Sequence, residues 1–405
     1  MAKRLVFHIG GYDPTTPPAG AERRFLREIE RFQRTWTVEA IINDLCDSAD
    51  QTKWKVTTTG PNWQVETNYH LVRWDDVIEG FSRRSIGSRI PLGLLAFLDF
   101  VLAGTLWRYL LTNWRYALFF LYPFVMFGLL MATAVLIGVL AFKVTGSTPV
   151  AAGGGLFGVA AVLAGPWRWL HLGDLFDDWI FSRKYIRFGH SEIEQRLDRL
   201  ATELVAAASS SAADEILVIG HSLGAVLAVD LLDRALKLDP ALGRTKTPVT
   251  FLSVGSSILK VGLHPEAVRF RATVERVANS RAIFWGDYQA LVDPLNFYKS
   301  RPMAEMGLST DNEATVRVVR FSRMLDDDIY RRIRLNFFRL HSQFVSGNDK
   351  RTSYDYFMLI CGPISAKSQT LAPDGAISMI ADDGGLIASA PVSESELLGN
   401  PGAAT

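Results

Sequence analysis

Two long apolar segments without a charged residue limit the folds open to this chain. They cover residues 116–142 and 144–167. A helix of about 20 apolar residues crosses the hydrocarbon core of a bilayer, so each segment is long enough to span it. Because soluble core helices seldom stay free of charge over such a length, we predict two membrane spans, at about 116–142 and 147–167, rather than two buried core helices.

The two segments are predicted to form a helical hairpin, because only a short polar stretch separates them. Small residues recur at a spacing of four on both segments: Ala134, Gly138, Gly154 and Gly158. Small residues at this spacing let two membrane helices approach closely.

The charges that flank the hairpin predict its orientation. Basic residues precede the first span and follow the second: Arg83, Arg84, Arg89, Arg108, Arg115, Arg168, Arg183, Lys184 and Arg187. The turn has Lys143 alone. Cytoplasmic flanks of membrane spans are enriched in Lys and Arg, so both ends of the hairpin are expected in the cytoplasm. We therefore predict an integral membrane protein, of a bacterial-type inner membrane, whose soluble part faces the cytoplasm.

A third apolar segment, residues 90–107, contains a charge at its centre, Asp99. A carboxylate at that depth in hydrocarbon is costly. We therefore expect an interfacial or re-entrant helix here, and a third span is the alternative. A third span would place the two soluble parts on opposite sides of the membrane.

The remainder of the chain has the pattern of an α/β domain. Strand-like runs lie at 3–9, 36–42, 54–59, 68–74, 215–219, 249–254, 282–285 and 316–321, and helical spacing lies at 21–34, 191–208, 226–238 and 265–277. Strands that alternate with helices predict a mainly parallel sheet covered on both faces. Lys and Arg number 43 and Asp and Glu 42, a balance that argues against a nucleic-acid partner.

We expect one soluble domain that is interrupted in sequence by a membrane insertion. The predicted parts are 1–80 and 189–363 for the domain, 81–188 for the insertion and 364–405 for a tail. The tail consists of Ala, Ser, Gly, Pro and scattered acids without an aromatic residue, so we predict that it is disordered.

A candidate nucleophile lies in the motif Gly220-His221-Ser222-Leu223-Gly224. A predicted strand runs into this G-x-S-x-G sequence and a predicted helix runs out of it, which is the context of a nucleophile elbow. The glycines flank the serine because the sharp turn crowds the backbone, and the helix N-terminus faces the developing oxyanion.

A serine nucleophile needs a histidine base, which a carboxylate orients. Of the two histidines after Ser222, His341 lies beyond the last predicted strand, whereas His264 precedes every candidate acid. Asp287 and Asp293 follow the strand predicted at 282–285, and the proline after Asp293 stiffens its loop. We favour Asp293 as the acid, and Asp287 remains the alternative.

An oxyanion hole needs two backbone N–H groups. Leu223, the residue after the nucleophile, is expected to supply one. The Gly-containing loop after the first strand is expected to supply the other from Tyr12, with Gly11 giving the backbone room.

These motifs resemble those of the α/β-hydrolases of the lipase and esterase kind. The resemblance rests on FHIGGYDP, EILVIGHSLGA, VDP and RLH, and it covers about 1–80 and 189–362. GHSLG is similar to the form in many lipases, including class 3 lipase-like proteins. The resemblance implies that Ser222, Asp293 and His341 form a triad that hydrolyses acyl esters. The chain departs from the family in having HIGG in its oxyanion loop and a membrane hairpin where a lid is usual, and the second departure bears on substrate access.

The sequence thus predicts a membrane-anchored serine hydrolase that cleaves carboxylic esters, with lipid esters favoured, through an acyl-enzyme. The chemistry requires no metal or cofactor. The expected partners are an acyl-ester substrate and the lipid bilayer, and the oligomeric state is left open. The alternatives are a thioesterase or other acyl hydrolase on the same triad, and a non-catalytic, membrane-bound interaction module of the hydrolase fold.

Overall fold

A central mixed β-sheet organises the chain. The computed structural model describes residues 1–14, 18–210, 212–244, 247–310 and 312–387. Within these ranges the strands are β1 (Ala2–Ile9), β2 (Glu39–Asp47), β3 (Gln51–Gly60), β4 (Trp63–Val72), β5 (Glu215–His221), β6 (Val249–Val254), β7 (Ile283–Ala290) and β8 (Thr315–Val319). They form one eight-stranded sheet in the order β2-β3-β4-β1-β5-β6-β7-β8. The pairs β2–β3 and β3–β4 are antiparallel, whereas β1 is parallel to both β4 and β5, and the pairs from β5 to β8 are parallel.

Helices cover both faces of the sheet. Outside the segment inserted between β4 and β5 they are α1 (Pro18–Trp36), α9 (Ser191–Ser210), α10 (Gly224–Leu238), α11 (Ile258–Gly262), α12 (Val268–Asn279), α13 (Pro302–Glu305), α14 (Phe321–Met324), α15 (Asp327–Ile333), α16 (Phe337–His341), α17 (Tyr356–Cys361) and α18 (Ala366–Leu371). Short 3₁₀ turns cover Ser342–Val345 and Ile377–Met379. Successive side chains of a strand point to opposite faces, so Phe7 packs with α9, α10 and α12 while Val6 packs with α1 and α17.

The insertion between β4 and β5 does not divide the sheet. Its helices are α2 (Asp75–Ser82), α3 (Ile86–Leu102), α4 (Thr105–Thr112), α5 (Trp114–Thr145), α6 (Thr148–Ala164), α7 (Pro166–Trp169) and α8 (Leu172–Phe188). The two parts of the soluble domain meet in the middle of the sheet, where Ile9 of β1 lies opposite Gly220 of β5. The β-structure on the two sides of the insertion therefore forms one sheet.

Two helices of the insertion are long and apolar enough to cross a membrane, as predicted. They cover Trp114–Thr145 and Thr148–Trp169, the second including α7. The predicted small residues lie where the two helices touch: a Cβ atom added to Gly158 would lie 2.9 Å from the Cα of Ala134. A Cβ on Gly138 would lie 2.9 Å from the backbone oxygen of Ala151. The spacing of small residues therefore does permit a close approach of the two helices.

The third apolar segment, predicted as one helix at 90–107, is broken in the structure. It divides into α3 and α4 at Gly104, whose φ is +75°. The pair α2 and α3 is bent by 107° and, taken together, would be a third candidate span. Asp99 of α3 forms an ion pair with Arg183 of α8 at 3.0 Å and another with Arg187. The charge that interrupts the apolar segment therefore faces protein cations.

Helix α8 ends at residue 188, which is the predicted end of the insertion. It packs both against the insertion and against the domain that contains the sheet. Phe176 and Trp179 lie in an aromatic cluster with α3, α4 and α5. Phe181 and Tyr185 lie in the cluster under the β-sheet. Helix α8 therefore contributes side chains both to the core of the insertion and to the core under the sheet.

The prediction of a disordered tail from 364 is wrong for residues 364–387. Helix α18 packs there, and the hydroxyls of Thr370 and Tyr288 are 2.8 Å apart. Arg4 donates a hydrogen bond to the backbone oxygen of Ile364 at 2.9 Å, and Trp63 donates one to that of Gly384 at 2.8 Å. The backbone of this segment is held by polar side chains from distant strands, which composition alone does not reveal. Residues 388–405 of the predicted tail lie outside the described residues.

Candidate active site

Ser222 occupies a strained turn between β5 and α10. Its φ is +55°, a left-handed conformation that residues other than glycine seldom adopt. Its backbone N–H donates to Val254 at 3.1 Å, and its backbone oxygen accepts from Ala225 at 3.1 Å and from Ser257 at 3.0 Å. Backbone strain of this kind persists only where surrounding contacts enforce it, and it is concentrated at functional sites.

The two glycines of the motif are required by the packing of this turn. A Cβ atom on Gly224 would lie 2.1 Å from the backbone oxygen of Ile9, and one on Gly220 would lie 2.3 Å from the Cα of Ala225. No side chain fits at either distance. The motif therefore lets β1, β5 and the first turn of α10 meet with Ser222 at their junction.

His341 and Asp293, predicted from separate parts of the sequence, are brought together. The Nδ1 atom of His341 lies 2.7 Å from Oδ2 of Asp293, and both side chains are buried. Asp293 also accepts from the backbone N–H of Leu295 at 3.0 Å and from Nδ2 of Asn296 at 3.1 Å. Sequence reasoning missed Asn296, although an amide three residues after the acid is a signal for a local hydrogen bond of this kind.

No hydrogen bond joins the side chains of His341 and Ser222. We assign the Nδ1 proton to the bond with Asp293, which leaves Nε2 of a neutral ring as an acceptor. This Nε2 atom is buried and has no hydrogen-bond partner in the part of the chain that the structure describes. Ser222 and His341 nevertheless line the same cavity.

His221, predicted only as part of the motif, supports His341. The two imidazole rings lie 4.6 Å apart between centroids. Nε2 of His221 lies 3.2 Å from the backbone oxygen of His341, a geometry in which the ring donates to the carbonyl. Burial, helped by the neighbouring His341 and His8, holds the pKa of His221 well below its usual value. A neutral His221 therefore packs beneath the candidate base and holds its backbone in place.

The predicted oxyanion donors lie beside Ser222. A Cβ atom on Gly11 would lie only 2.7 Å from the Cβ of Ser222, so the loop after β1 closely approaches the serine. The backbone N–H groups of Leu223 and Tyr12 donate no hydrogen bond to any described residue. The hydroxyl of Tyr12 is also buried without a partner among the described atoms, and its ring packs edge-on against Trp74. Two backbone donors are thus left unused close to the serine.

Asp287 and His264, the weaker candidates, lie away from the pair formed by Asp293 and His341. Strand β7 runs to Ala290, beyond the predicted end at 285, so Asp287 lies inside the strand. It accepts from the hydroxyl of Ser253 and from Gln289 at 2.7 Å, and burial raises its pKa to about 6. His264 packs edge-on against the insertion, and burial lowers its pKa to about 4.

The cavity that contains Ser222 has a volume of about 520 Å³ and draws its walls from distant elements. The soluble domain contributes His8, Gly11, Tyr12, Ser222, Leu223 and His341 among others. The insertion between β4 and β5 contributes Tyr116 and Phe119 from the first turns of α5, and Leu175 from α8. The insertion therefore forms part of the candidate site.

Neither metal ligation nor similarity to known proteins adds an assignment. Among the described residues, no group of three or more His, Cys, Asp or Glu side chains is placed to hold a metal ion. No protein-family model, curated protein or solved structure matches the chain.

Proposed function

We propose that this protein is a serine hydrolase of the α/β-hydrolase kind that is held in a membrane and cleaves carboxylic esters. One observation carries the proposal. A serine in a strained strand-to-helix turn shares a cavity with a buried, hydrogen-bonded pair of a histidine and a carboxylate. Strain, an oriented base and free backbone donors around one hydroxyl are the combination that acyl transfer by a serine nucleophile needs.

The proposed reaction begins when Oγ of Ser222 attacks the acyl carbonyl carbon. Nε2 of His341 takes the hydroxyl proton and then gives it to the departing alcohol, leaving an acyl-enzyme. Asp293 holds the Nδ1 proton and stabilises the imidazolium. Water, activated by the same histidine, then releases the carboxylic acid. Catalytic hydrogen bonds often close only when substrate binds, so the open contact between Ser222 and His341 is compatible with this sequence.

The oxyanion of the tetrahedral intermediate is proposed to bind the backbone N–H groups of Leu223 and Tyr12. Both donors lack a partner in the described structure, and the close approach of the preceding residue, Gly11, to Ser222 supports this role for the Tyr12 peptide. Preorganised donors of this kind contribute roughly 3–4 kcal/mol each to transition-state stabilisation.

A lipid ester is the proposed substrate. Tyr116 and Phe119 of the cavity wall belong to the beginning of α5, which continues for a total of 32 residues as the longer candidate span. A substrate whose acyl chain resides in the bilayer would therefore meet the cavity at the junction of membrane and soluble domain. The basic flanks of the hairpin support a cytoplasmic position for this domain in a bacterial-type inner membrane.

Labelling with a fluorophosphonate probe tests the mechanism, because the probe phosphonylates an activated serine. In detergent, wild type and Ser257→Ala are expected to label and Ser222→Ala is not. Ser257 is the matched control, since this second serine lines the same cavity. Hydrolysis of p-nitrophenyl esters of increasing acyl length should follow the same pattern, and a parallel thioester series distinguishes a thioesterase.

The missing hydrogen bond at Nε2 of His341 favours a second candidate, a non-catalytic module that retains the hydrolase fold. This candidate predicts that the wild-type protein neither labels nor hydrolyses any ester in the series. That result would overturn the proposed function.

A further inference from the structure

One side of the Ser222 cavity contains a cation and a buried imidazole that the proposed reaction does not use. The cation is Arg24 of α1, and the imidazole is His8 of β1. His8, Val6 and His221 point to the same face of the sheet, the face that α1 covers, because they alternate with Phe7 and Gly220 along their strands. The two groups therefore lie beside the candidate nucleophile, on the side where His341 packs.

The acids that line this cavity already have partners. They pair as follows: Glu28 with Arg27 at 3.1 Å and Arg31 at 3.0 Å, Asp75 with Arg73 at 3.0 Å, Asp174 with His171 at 3.1 Å, and Asp178 with Lys260. Asp13 also has an interaction of its own. Among the described residues, no carboxylate of the lining is therefore left over to neutralise a further cation.

Arg24 has no such partner. Its guanidinium forms no ion pair and donates no hydrogen bond to any residue within the described ranges, although the side chain is half-buried. Arg339 of the lining also lacks an ion pair in that part of the chain, but it is exposed. A guanidinium that has lost part of its hydration and meets no carboxylate gains most from a bound anion.

His8 supplies a donor beside Arg24. The side chain is 7% exposed, and its Nδ1 lies against the hydroxyls of Tyr69 and Tyr356. We assign a hydroxyl proton to the bond with Nδ1, which places the ring proton on Nε2. Nε2 is buried and has no acceptor in the described part of the chain. Burial and, to a smaller extent, the charge of Arg24 lower the pKa of His8 to about 3, so the ring is a neutral donor.

We infer that Arg24 and His8 form a phosphate subsite and that the substrate is an acyl ester that carries a phosphate group. This inference rests on the proposed function, because it names the class of ester that Ser222 cleaves. A guanidinium offers two parallel N–H groups to phosphate oxygens, and the His8 N–H offers a third donor. The phosphate group would belong either to a lipid in the bilayer or to a soluble ester.

The test compares esters that differ only in the phosphate. Hexanoylglycerol phosphate and hexanoylglycerol are assayed as soluble monomers, and vesicles that contain phosphatidic acid provide the bilayer source. For each variant the readout is the ratio of kcat/KM for the phosphate ester to that for the neutral ester. Arg24→Gln is expected to lower this ratio by about 10- to 100-fold, the loss of one charge-assisted contact.

Three variants make the result specific. Arg27→Gln is the matched control on the same helix, because Arg27 lines the cavity but is paired with Glu28, and the ratio should not change. Arg24→Lys should recover part of the ratio, since it keeps the charge without the guanidinium fork. His8→Phe should lower the ratio while KM for the phosphate ester rises, and its unfolding temperature reports separately on the fold.

The outcomes separate this inference from the proposed function. An equal loss for both esters in Arg24→Gln, or no preference for the phosphate ester in wild type, would overturn the inference and leave the hydrolase in place. If wild type neither labels nor turns over an ester, the proposed function fails. In that case, the binding of hexanoylglycerol phosphate to Ser222→Ala is measured by calorimetry with and without Arg24→Gln. This measurement tests the phosphate subsite independently of turnover.

Discussion

Replacing Gly11 by alanine should disable the candidate site while leaving the chain folded. The added Cβ atom would lie 2.7 Å from the Cβ of Ser222, 3.3 Å from its Oγ and 3.4 Å from the backbone oxygen of His221. Non-bonded carbon atoms pack best at about 3.5–4.0 Å, so the loop and the serine must separate by roughly 1 Å.

The size of the effect follows from that displacement. A misplacement of about 1 Å at a reacting centre costs roughly 100-fold in rate. Overpacking by one methyl group costs about 1–3 kcal/mol in the free energy of unfolding. The expected loss of activity in Gly11→Ala is therefore much larger than the loss of stability would explain.

The neighbouring residue provides a control for this prediction. A Cβ atom on Gly10 meets no atom within 4 Å, and neither glycine has a positive φ, so Gly10→Ala introduces no clash. We expect Gly10→Ala to retain near wild-type labelling by fluorophosphonate and ester turnover, whereas Gly11→Ala loses about 100-fold in both. Equal activities of the two variants, at matched unfolding temperatures, would refute the placement of the loop after β1 against Ser222.

Three further predictions concern stability and are measured by unfolding in detergent. Gly158→Leu should lower the free energy of unfolding by about 1–3 kcal/mol because it forces the two long helices apart. Gly153→Leu is the control and should change it little, since no described atom lies within 4 Å of the Cβ position. Burial raises the pKa of Asp287 from 3.8 to about 6, so the folded state binds this proton more tightly than the unfolded state does. The stability from this group is full below about pH 4 and falls by about 3 kcal/mol as the pH rises to about 6. Asp287→Asn should make the loss of stability over this pH range smaller, and an unchanged loss contradicts the prediction. Asp99→Ala should lower the free energy of unfolding by about 1–3 kcal/mol. Adding Arg187→Ala should lower it little further if the two residues act as a pair.

The sequence was informative wherever a feature is local in the chain. The apolar hairpin is recognised by its length and by its lack of charge, and the turn at Ser222 is recognised from five consecutive residues. Position in the chain order also predicted His341 over His264. For the hairpin and the turn the physical cause, hydrocarbon solubility or the tight backbone of a turn, acts on neighbouring residues.

The choice between the two candidate acids depends on the end of a strand, which a local sequence pattern does not show. The sequence left Asp287 and Asp293 as alternatives because the end of β7 is not marked by composition. In the structure β7 continues to Ala290, which buries Asp287 within the sheet and leaves Asp293 in the following loop, where it contacts His341. The contacts of Asn296 with the candidate acid Asp293 and of His221 with the candidate base His341 likewise appear only when the strands are assembled.

Two other features were decided by contacts between distant residues. Asp99 appeared costly in an apolar helix, but Arg183 and Arg187 on α8 neutralise it. Residues 364–387 have the composition of a disordered tail, yet Arg4 on the first strand binds their backbone. By itself the sequence determined the apolar helical hairpin, the α/β pattern and the G-x-S-x-G turn, because these follow from interactions between neighbours. Only the tertiary structure decided which charges pair and which polar groups in the Ser222 cavity are left without a partner, because packing brings together residues that are far apart in the chain.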